Sequence, residues 1–251
     1  MKVAALISGE PRFCADFDIF LKKLKNYEFI DWYFFLWNKN YNLDPFLPKA
    51  NLVGSKWIDY DYNWAYEKIQ SCLPENNKIV KLEIGLKENF LPNIEFKNIA
   101  MDTKPKNCWL MYQGLKQVNK LLENSGNKYD LVMRARPDIA LDTELDMIEI
   151  QKLVCSKQIL VPNKEWHGWR DQINDFFAIG LQEDIGVYCS AIDSIPRFIS
   201  QDKPFHPETL LSDHLIYHKI GYKKGPFHTP LRTLGSRDGI IYNSLFGRWN
   251  D

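Results

Sequence analysis

The sequence alternates short apolar runs with stretches of helical period, and this alternation constrains the fold more than any other feature. Val3–Ser8 and Asp31–Leu36 have the length and continuous hydrophobicity of buried strands. Between them, Cys14–Leu24 places its apolar side chains at helical spacing. Because strands that alternate with helices build a parallel sheet covered by those helices, the sequence predicts a single α/β domain. We expect a Rossmann-like domain with a mostly parallel central sheet flanked by helices.

The rest of the chain continues this pattern. Cys108–Leu122 is the strongest predicted helix, with Gly126 as its C-terminal stop. Another predicted helix, Thr209–Ile220, has Gly221 as its expected stop. The remaining predicted elements are strands at Lys78–Ile84, Asp130–Arg134, Gln158–Val161 and Phe176–Ile179, and helices at Tyr62–Leu73 and Glu183–Ile192.

Size and charge limit the classes of function. The chain has 251 residues, with 32 Lys and Arg against 32 Asp and Glu, so no net charge attracts nucleic acid. Its five cysteines form no CxxC pair, and the first apolar run is too short to be a signal sequence or to span a membrane. We expect one cytoplasmic domain over 1–251 with no transmembrane segment. It is expected to contain an irregular connection at Asn38–Asp61 and a loop-like tail from about 225.

The segment Tyr129–Leu141, YDLVMRARPDIAL, is the strongest candidate for a site. An apolar strand ends there in Arg134, Arg136 and Asp138, and ligands collect at the carboxyl ends of parallel strands. The two arginines alternate and therefore share a face, where guanidinium groups suit phosphate oxygens. Asp138 is suited to a divalent cation or a sugar hydroxyl. A purely structural Arg–Asp ion pair is the alternative interpretation of the segment.

Together with a first strand that ends in ISGEPR, this segment resembles the GT-A-type nucleotide-sugar glycosyltransferases. It is most similar to microbial members associated with surface polysaccharides, in which an R-x-R-P-D strand replaces the Asp-x-Asp metal motif. The resemblance implies a GT-A-like fold and transfer of a sugar from a nucleotide-sugar donor to a carbohydrate acceptor. The residues expected to bind the donor are Ser8, Gly9, Arg12, Arg134, Arg136 and Asp138.

The motif is compatible with two ways of neutralising the departing diphosphate, one with a metal ion and one without. The residue two positions after Asp138 is Ala140, and Asp142 lies four positions away, so the paired acids of Asp-x-Asp are missing. A single carboxylate with distant helpers makes a weak site for Mn²⁺ or Mg²⁺. The expected metal ligands are Asp138 and, from the resemblance, His228. The alternative is a metal-independent reaction in which the two arginines neutralise the diphosphate.

A polar loop after the central strands is the candidate acceptor site. Trp166 and Trp169 have large flat faces that suit sugar rings, and Asp171 follows them. Core or edge packing is the alternative role for either tryptophan. From the resemblance, Asp175 presents a carboxylate to the acceptor or donor, and Asp171 could take that role instead.

The helix that begins at Pro207 contains the candidates for the general base. Glu208 and Asp213 lie on it, and in an inverting transferase one of them would remove the acceptor proton. A favourable charge at the helix start and a solvated face are the alternatives. His214 and His218 are four residues apart, but position 215 is Leu215, so no HExxH zinc motif is present.

Two other classes of function remain open from the sequence. A sugar nucleotidyltransferase also uses a strand-end acid and a basic turn, although it usually has a richer glycine loop than ISGEPR. A noncatalytic carbohydrate-binding or degenerate transferase domain would fit the missing second acid and the many aromatic residues. The expected partners are a nucleotide-sugar donor and a carbohydrate acceptor, without nucleic acid.

Overall fold

The computed structural model describes residues 1–9, 16–38, 62–99, 104–137, 139, 141, 143–163, 173 and 175–227. The strands are β1 Val3–Gly9, β2 Leu24–Lys25, β3 Ile30–Asn38, β4 Lys78–Leu86, β5 Leu131–Ala135, β6 Leu145–Asp146, β7 Gln158–Val161, β8 Phe177–Gly180 and β9 Gly221–Lys224. The α helices are α1 Asp16–Lys23, α2 Tyr62–Cys72, α3 Pro105–Ser125, α4 Met147–Leu153, α5 Gln182–Cys189, α6 Ile195–Ser200 and α7 Pro207–Tyr217. Short 3-10 turns lie at Lys87–Phe90 and Ala191–Ser194.

The central sheet has the strand order β4-β3-β1-β5-β8-β7-β9. β1 is parallel to β3 and β5, β3 is parallel to β4, and β7 is parallel to β9. β8 runs antiparallel to both of its neighbours. The predicted α/β fold with a mostly parallel central sheet is therefore confirmed.

The strand order reverses at β1. The chain passes from β1 to β3 and β4 on one side and then returns through α3 to β5 on the other side. Neighbouring strands whose connections leave in opposite directions open a crevice at their carboxyl ends, where open α/β sheets bind ligands. The fold therefore directs attention to the ends of β1 and β5.

Hydrophobic cores cover both faces of the sheet. Successive strand side chains point to opposite faces, so Val132 packs with α3, α5 and α7 while Met133 packs with α1 and α2. Arg134 follows Met133 on β5 and therefore lies on the face covered by α3, α5 and α7. None of the helices in the described ranges is both long and apolar enough to cross a membrane.

Two glycines were predicted to stop helices, and the structure confirms one of these predictions and contradicts the other. Gly126 adopts φ +68° and donates its backbone N–H to Glu123, which confirms it as the stop of α3. The predicted role of Gly221 is wrong. α7 ends at Tyr217, Lys219 adopts the left-handed φ of +59°, and Gly221 begins β9. A lysine thus takes the conformation that usually favours glycine.

Two predicted regions fall wholly or mostly outside the described residues. The irregular connection at Asn38–Asp61 is described only at Asn38, which ends β3, and the tail only as far as Phe227.

The predicted helix at Glu183–Ile192 is divided in the structure, because α5 ends at Cys189 and a 3-10 turn follows.

Candidate active site

The carboxyl ends of β1 and β5 bring the first two predicted donor-binding segments together. The two strands pair up to Ile7 and Ala135, so Ser8 and Gly9 lie next to Arg136 and Pro137. Gly9 has φ +144°, and a Cβ atom there would lie 3.2 Å from Pro137 Cδ. Position 9 therefore requires glycine both for its backbone conformation and for the approach of Pro137.

Buried polar atoms lie at this edge of the sheet. Ser8 Oγ and, at the end of β3, Asn38 Oδ1 have no hydrogen-bond partner among the described residues. Buried polar atoms that lack partners destabilise a protein unless a ligand or water satisfies them. These two atoms are suited to binding a polar ligand in the crevice. Asn38 was not among the predicted site residues, because no local pattern in the sequence singles it out.

Arg134 is enclosed rather than exposed to a ligand. It has 0% exposed surface, and its Nη1 donates a hydrogen bond to the backbone carbonyl of Asp175. Its Nε and Nη2 atoms have no partner among the described residues. The arginine thus fixes the chain just before β8, and a diphosphate would reach its guanidinium only if neighbouring groups moved.

Arg136 lies one strand position further toward the edge. Its backbone N–H donates to Phe176 at 3.1 Å and extends the pairing of β5 with β8, and its side chain is half-buried. Its positive charge lowers the pKa of Glu208. Arg136 lies two positions after Arg134 in the chain, so strand alternation directs both side chains to the same face.

Two carboxylates meet on this face. Asp175 is 6% exposed and precedes β8, and Glu208 is the second residue of α7. Tyr112 on α3 donates a hydrogen bond to the carbonyl of Pro207, which ties the start of α7 to α3. Burial, and then the negative charge of Asp175, raises the pKa of Glu208 to about 7. A carboxylate with such a pKa is suited to exchange protons at neutral pH.

His206 completes the charged cluster. Its Nδ1 lies 3.2 Å from Glu208 Oε2. Burial lowers the pKa of this imidazole, while Asp175 acts in the opposite direction. His206 was not among the predicted site residues, although a histidine two residues before an acid at a helix start is a visible signal in the sequence.

Three weakly acidic side chains line the cluster and stay protonated. Burial raises the pKa values of Cys108, Tyr112 and Tyr188, and the charges of Asp175 and Glu208 raise them further. A thiol in such surroundings is a poor nucleophile. The cluster therefore offers Glu208 and the His206 imidazole, rather than the thiol or the phenols, as groups that accept a proton near neutral pH.

No family model matches the sequence. No curated protein matches it either. The solved structures that match include mouse xyloside xylosyltransferase 1 in its apo form, which is 7% identical with a TM-score of 0.49. The match covers 90% of this chain and 85% of the mouse chain.

Asp213, the second predicted general base, lies in a separate ion pair. Its Oδ2 is 3.3 Å from Lys203 Nζ. The charge of Asp175, by contrast, raises the pKa values of Cys108, Tyr112 and Glu208. The structure therefore brings Glu208, and not Asp213, together with Asp175.

His214 has a structural environment. It is buried, its Nε2 lies 2.7 Å from the carbonyl of Val187, and its Nδ1 lies 2.7 Å from Ser194 Oγ. Burial lowers its pKa to about 4. Within the described ranges, no group of three or more His, Cys, Asp or Glu residues is placed to hold a metal ion.

Several predicted site residues lie outside the described residues, so their predicted roles stay predictions. They are the donor-binding Arg12 and Asp138, the acceptor-binding Trp166, Trp169 and Asp171, and the predicted metal ligand His228.

Proposed function

We propose that this protein is a glycosyltransferase with a GT-A-like fold. It moves a sugar from a nucleotide-sugar donor to a carbohydrate acceptor in glycan or surface-polysaccharide synthesis. The observation that carries the proposal is Glu208, a largely buried carboxylate with a pKa near neutrality, next to Asp175 and Arg136. Sugar transfer needs a base for the acceptor hydroxyl and positive charge for the leaving diphosphate, and this site offers both.

In the proposed reaction, Glu208 acts on the acceptor and Arg136 acts on the leaving diphosphate. Glu208 removes the proton from the acceptor hydroxyl, whose oxygen forms the new bond to the anomeric carbon of the sugar. The bond from that carbon to the diphosphate breaks, and the diphosphate leaves with the bonding electrons. Arg136 and the backbone N–H groups near Gly9 stabilise the charge that develops on it. Arg134 holds Asp175 in place from behind.

A divalent cation is a further part of the proposal. Mn²⁺ or Mg²⁺ held by Asp138 and His228 would share the charge of the diphosphate, but neither residue is within the described ranges. The roles of Glu208 and Arg136 are the same with or without the ion.

A panel of nucleotide sugars tests the proposal. We expect release of UDP, GDP or CMP from one donor when a carbohydrate acceptor is present, measured with and without Mn²⁺. Glu208→Gln should lower kcat by at least about 100-fold, because it removes the base. Glu183→Gln is the matched control, since Glu183 is also the second residue of a helix but is exposed.

Two results would support the other classes of function. Pyrophosphate release from a sugar phosphate and a nucleoside triphosphate would identify a nucleotidyltransferase. Carbohydrate binding without release of a nucleotide from any donor would identify a noncatalytic domain.

A further inference from the structure

His206 directly precedes α7 but does not cap it through its side chain. Its backbone is extended, with φ −139° and ψ 136°, as an N-cap residue requires. Among the described residues, its imidazole makes no capping hydrogen bond to the first turn. The ring instead lies against Glu208, with 3.2 Å between Nδ1 and Oε2. Helix capping therefore does not account for the position of this ring.

The contact between the two side chains is shielded from water. The Nδ1 and Oε2 atoms are both buried, and at 3.2 Å they do not form a hydrogen bond with each other in the structure. The His206 and Glu208 side chains as a whole are 24% and 17% exposed. A hydrogen bond between these atoms would be stronger than one at the surface, because little water competes with it. The remainder of the imidazole reaches solvent and can exchange protons there.

Two charged groups near Glu208 act on its ionisation in opposite directions. Asp175, which approaches from the start of β8, disfavours the carboxylate, and Arg136, after β5, favours it. The other titratable groups of the cluster are Cys108 and Tyr112 on α3, Tyr188 on α5 and Arg134 on β5. A base beside a second carboxylate needs a hydrogen-bond donor to remain ionised, and His206 is in contact with it.

Building on the function proposed above, we propose that His206 is a positioning residue for sugar transfer. A small rotation of the imidazole brings its Nδ1–H onto Glu208 Oε2, where it donates a hydrogen bond that favours the ionised carboxylate and leaves Oε1 for the acceptor hydroxyl. Burial lowers the imidazole pKa, so the ring is neutral at neutral pH and can donate from Nδ1.

Variants of His206 test the role of this donor. His206→Leu removes the donor and keeps an apolar side chain, whereas His206→Asn retains an N–H group near the position of Nδ1. His218 is an exposed histidine at the end of the same helix, so His218→Leu and His218→Asn are the matched controls. Far-UV circular dichroism shows whether each variant is folded.

The first measurement is the titration of Glu208, followed by ¹³C NMR of carboxyl-labelled glutamate and assigned with Glu208→Gln. We expect His206→Leu to raise the pKa of Glu208 by about one unit and His206→Asn by less than half as much. The acidic limb of the kcat profile should move by the same amounts. Both controls should match the wild type.

The proposal is overturned if folded His206→Leu leaves the Glu208 titration unchanged, or if His206→Asn moves it as far as His206→Leu does. If His206→Leu does not fold, ¹⁵N NMR of wild-type imidazole decides. A proton on Nδ1 supports the proposal, and a proton on Nε2 alone overturns it. A wild type that releases no nucleotide, but in which His206 still shifts the Glu208 titration, contradicts the proposed function and not the contact.

Discussion

Replacement of Glu208 by glutamine should stabilise the protein, and increasingly so as the pH rises. The side chain is largely buried near Asp175, and these surroundings raise its pKa from the ordinary 4.5 to about 7. The folded state therefore holds this proton more tightly than the unfolded chain. Stability from Glu208 is fully present below pH 4.5 and is lost as the pH rises through 7.

The size of the effect follows from the two pKa values. Each pKa unit corresponds to about 1.4 kcal/mol, so the ionised Glu208 destabilises the folded state by about 3 kcal/mol at pH 8. At pH 5 the difference is about 1 kcal/mol, because the carboxyl is then mostly protonated in the folded protein. Glutamine is a neutral isostere of the protonated acid, so Glu208→Gln should gain these amounts relative to the wild type.

Urea denaturation at pH 5 and pH 8, followed by circular dichroism, measures the gain. Glu183→Gln is the control for the loss of a negative charge at a helix start, and it should lower the free energy of unfolding by about 0.5 kcal/mol at pH 8. Titrating groups that do not interact with Glu208 affect variant and wild type alike and cancel in the difference. If Glu208→Gln has the same stability difference at both pH values, or behaves like Glu183→Gln, the electrostatic argument for Glu208 is wrong.

Three further predictions concern other parts of the fold. Gly9→Ala should lower the free energy of unfolding by about 2 kcal/mol, and Gly126→Ala should lower it by about 1 kcal/mol. The first loss is larger because only the Cβ added at Gly9 meets Pro137. Equal losses in urea denaturation would contradict this. In a Glu208→Gln background, stability should fall by about 3 kcal/mol as the pH drops from 6.5 to 4, because the folded state disfavours protonation of His214, whose pKa is about 4. His214→Asn should flatten that slope, and a slope left unchanged would point to other groups. Arg134→Met should change the free energy of unfolding by no more than about 1 kcal/mol. It should nevertheless lower nucleotide release at least tenfold, because the backbone carbonyl of Asp175 loses the hydrogen bond from Arg134. Full activity would show that this hydrogen bond is dispensable.

The strand pattern was predictable because it depends on local hydrophobicity. β1 and β7 lie where their apolar runs predict them, and α3 ends at Gly126 as its glycine indicates. β9 was missed because its sequence, GYKK, is mostly exposed at the edge of the sheet and has no apolar pattern. α4 was missed because it is only seven residues long, although Asp146 caps its N-terminus with two hydrogen bonds.

The acids of the candidate site could be named from the sequence, but their arrangement could not. Asp175 was predicted from the family resemblance and Glu208 from its place at a helix start, and their catalytic roles stay predictions. Their proximity depends on how α7 packs on α3 through Tyr112, which no local pattern reveals. The enclosure of Arg134 was likewise unpredictable, because a strand-end arginine is expected at the surface and its carbonyl partner lies 41 residues away.

The most direct test of the proposed site is the position of a nucleoside diphosphate in a crystal of the protein. We expect the diphosphate at the carboxyl ends of β1 and β5, within hydrogen-bonding distance of Arg136 and the backbone at Gly9. The structure offers a second location for comparison, a groove of about 690 Å³ between α3 and α5 that is lined by Lys128 and Glu183. A diphosphate bound in that groove, or anywhere away from Arg136, would contradict the proposed donor site.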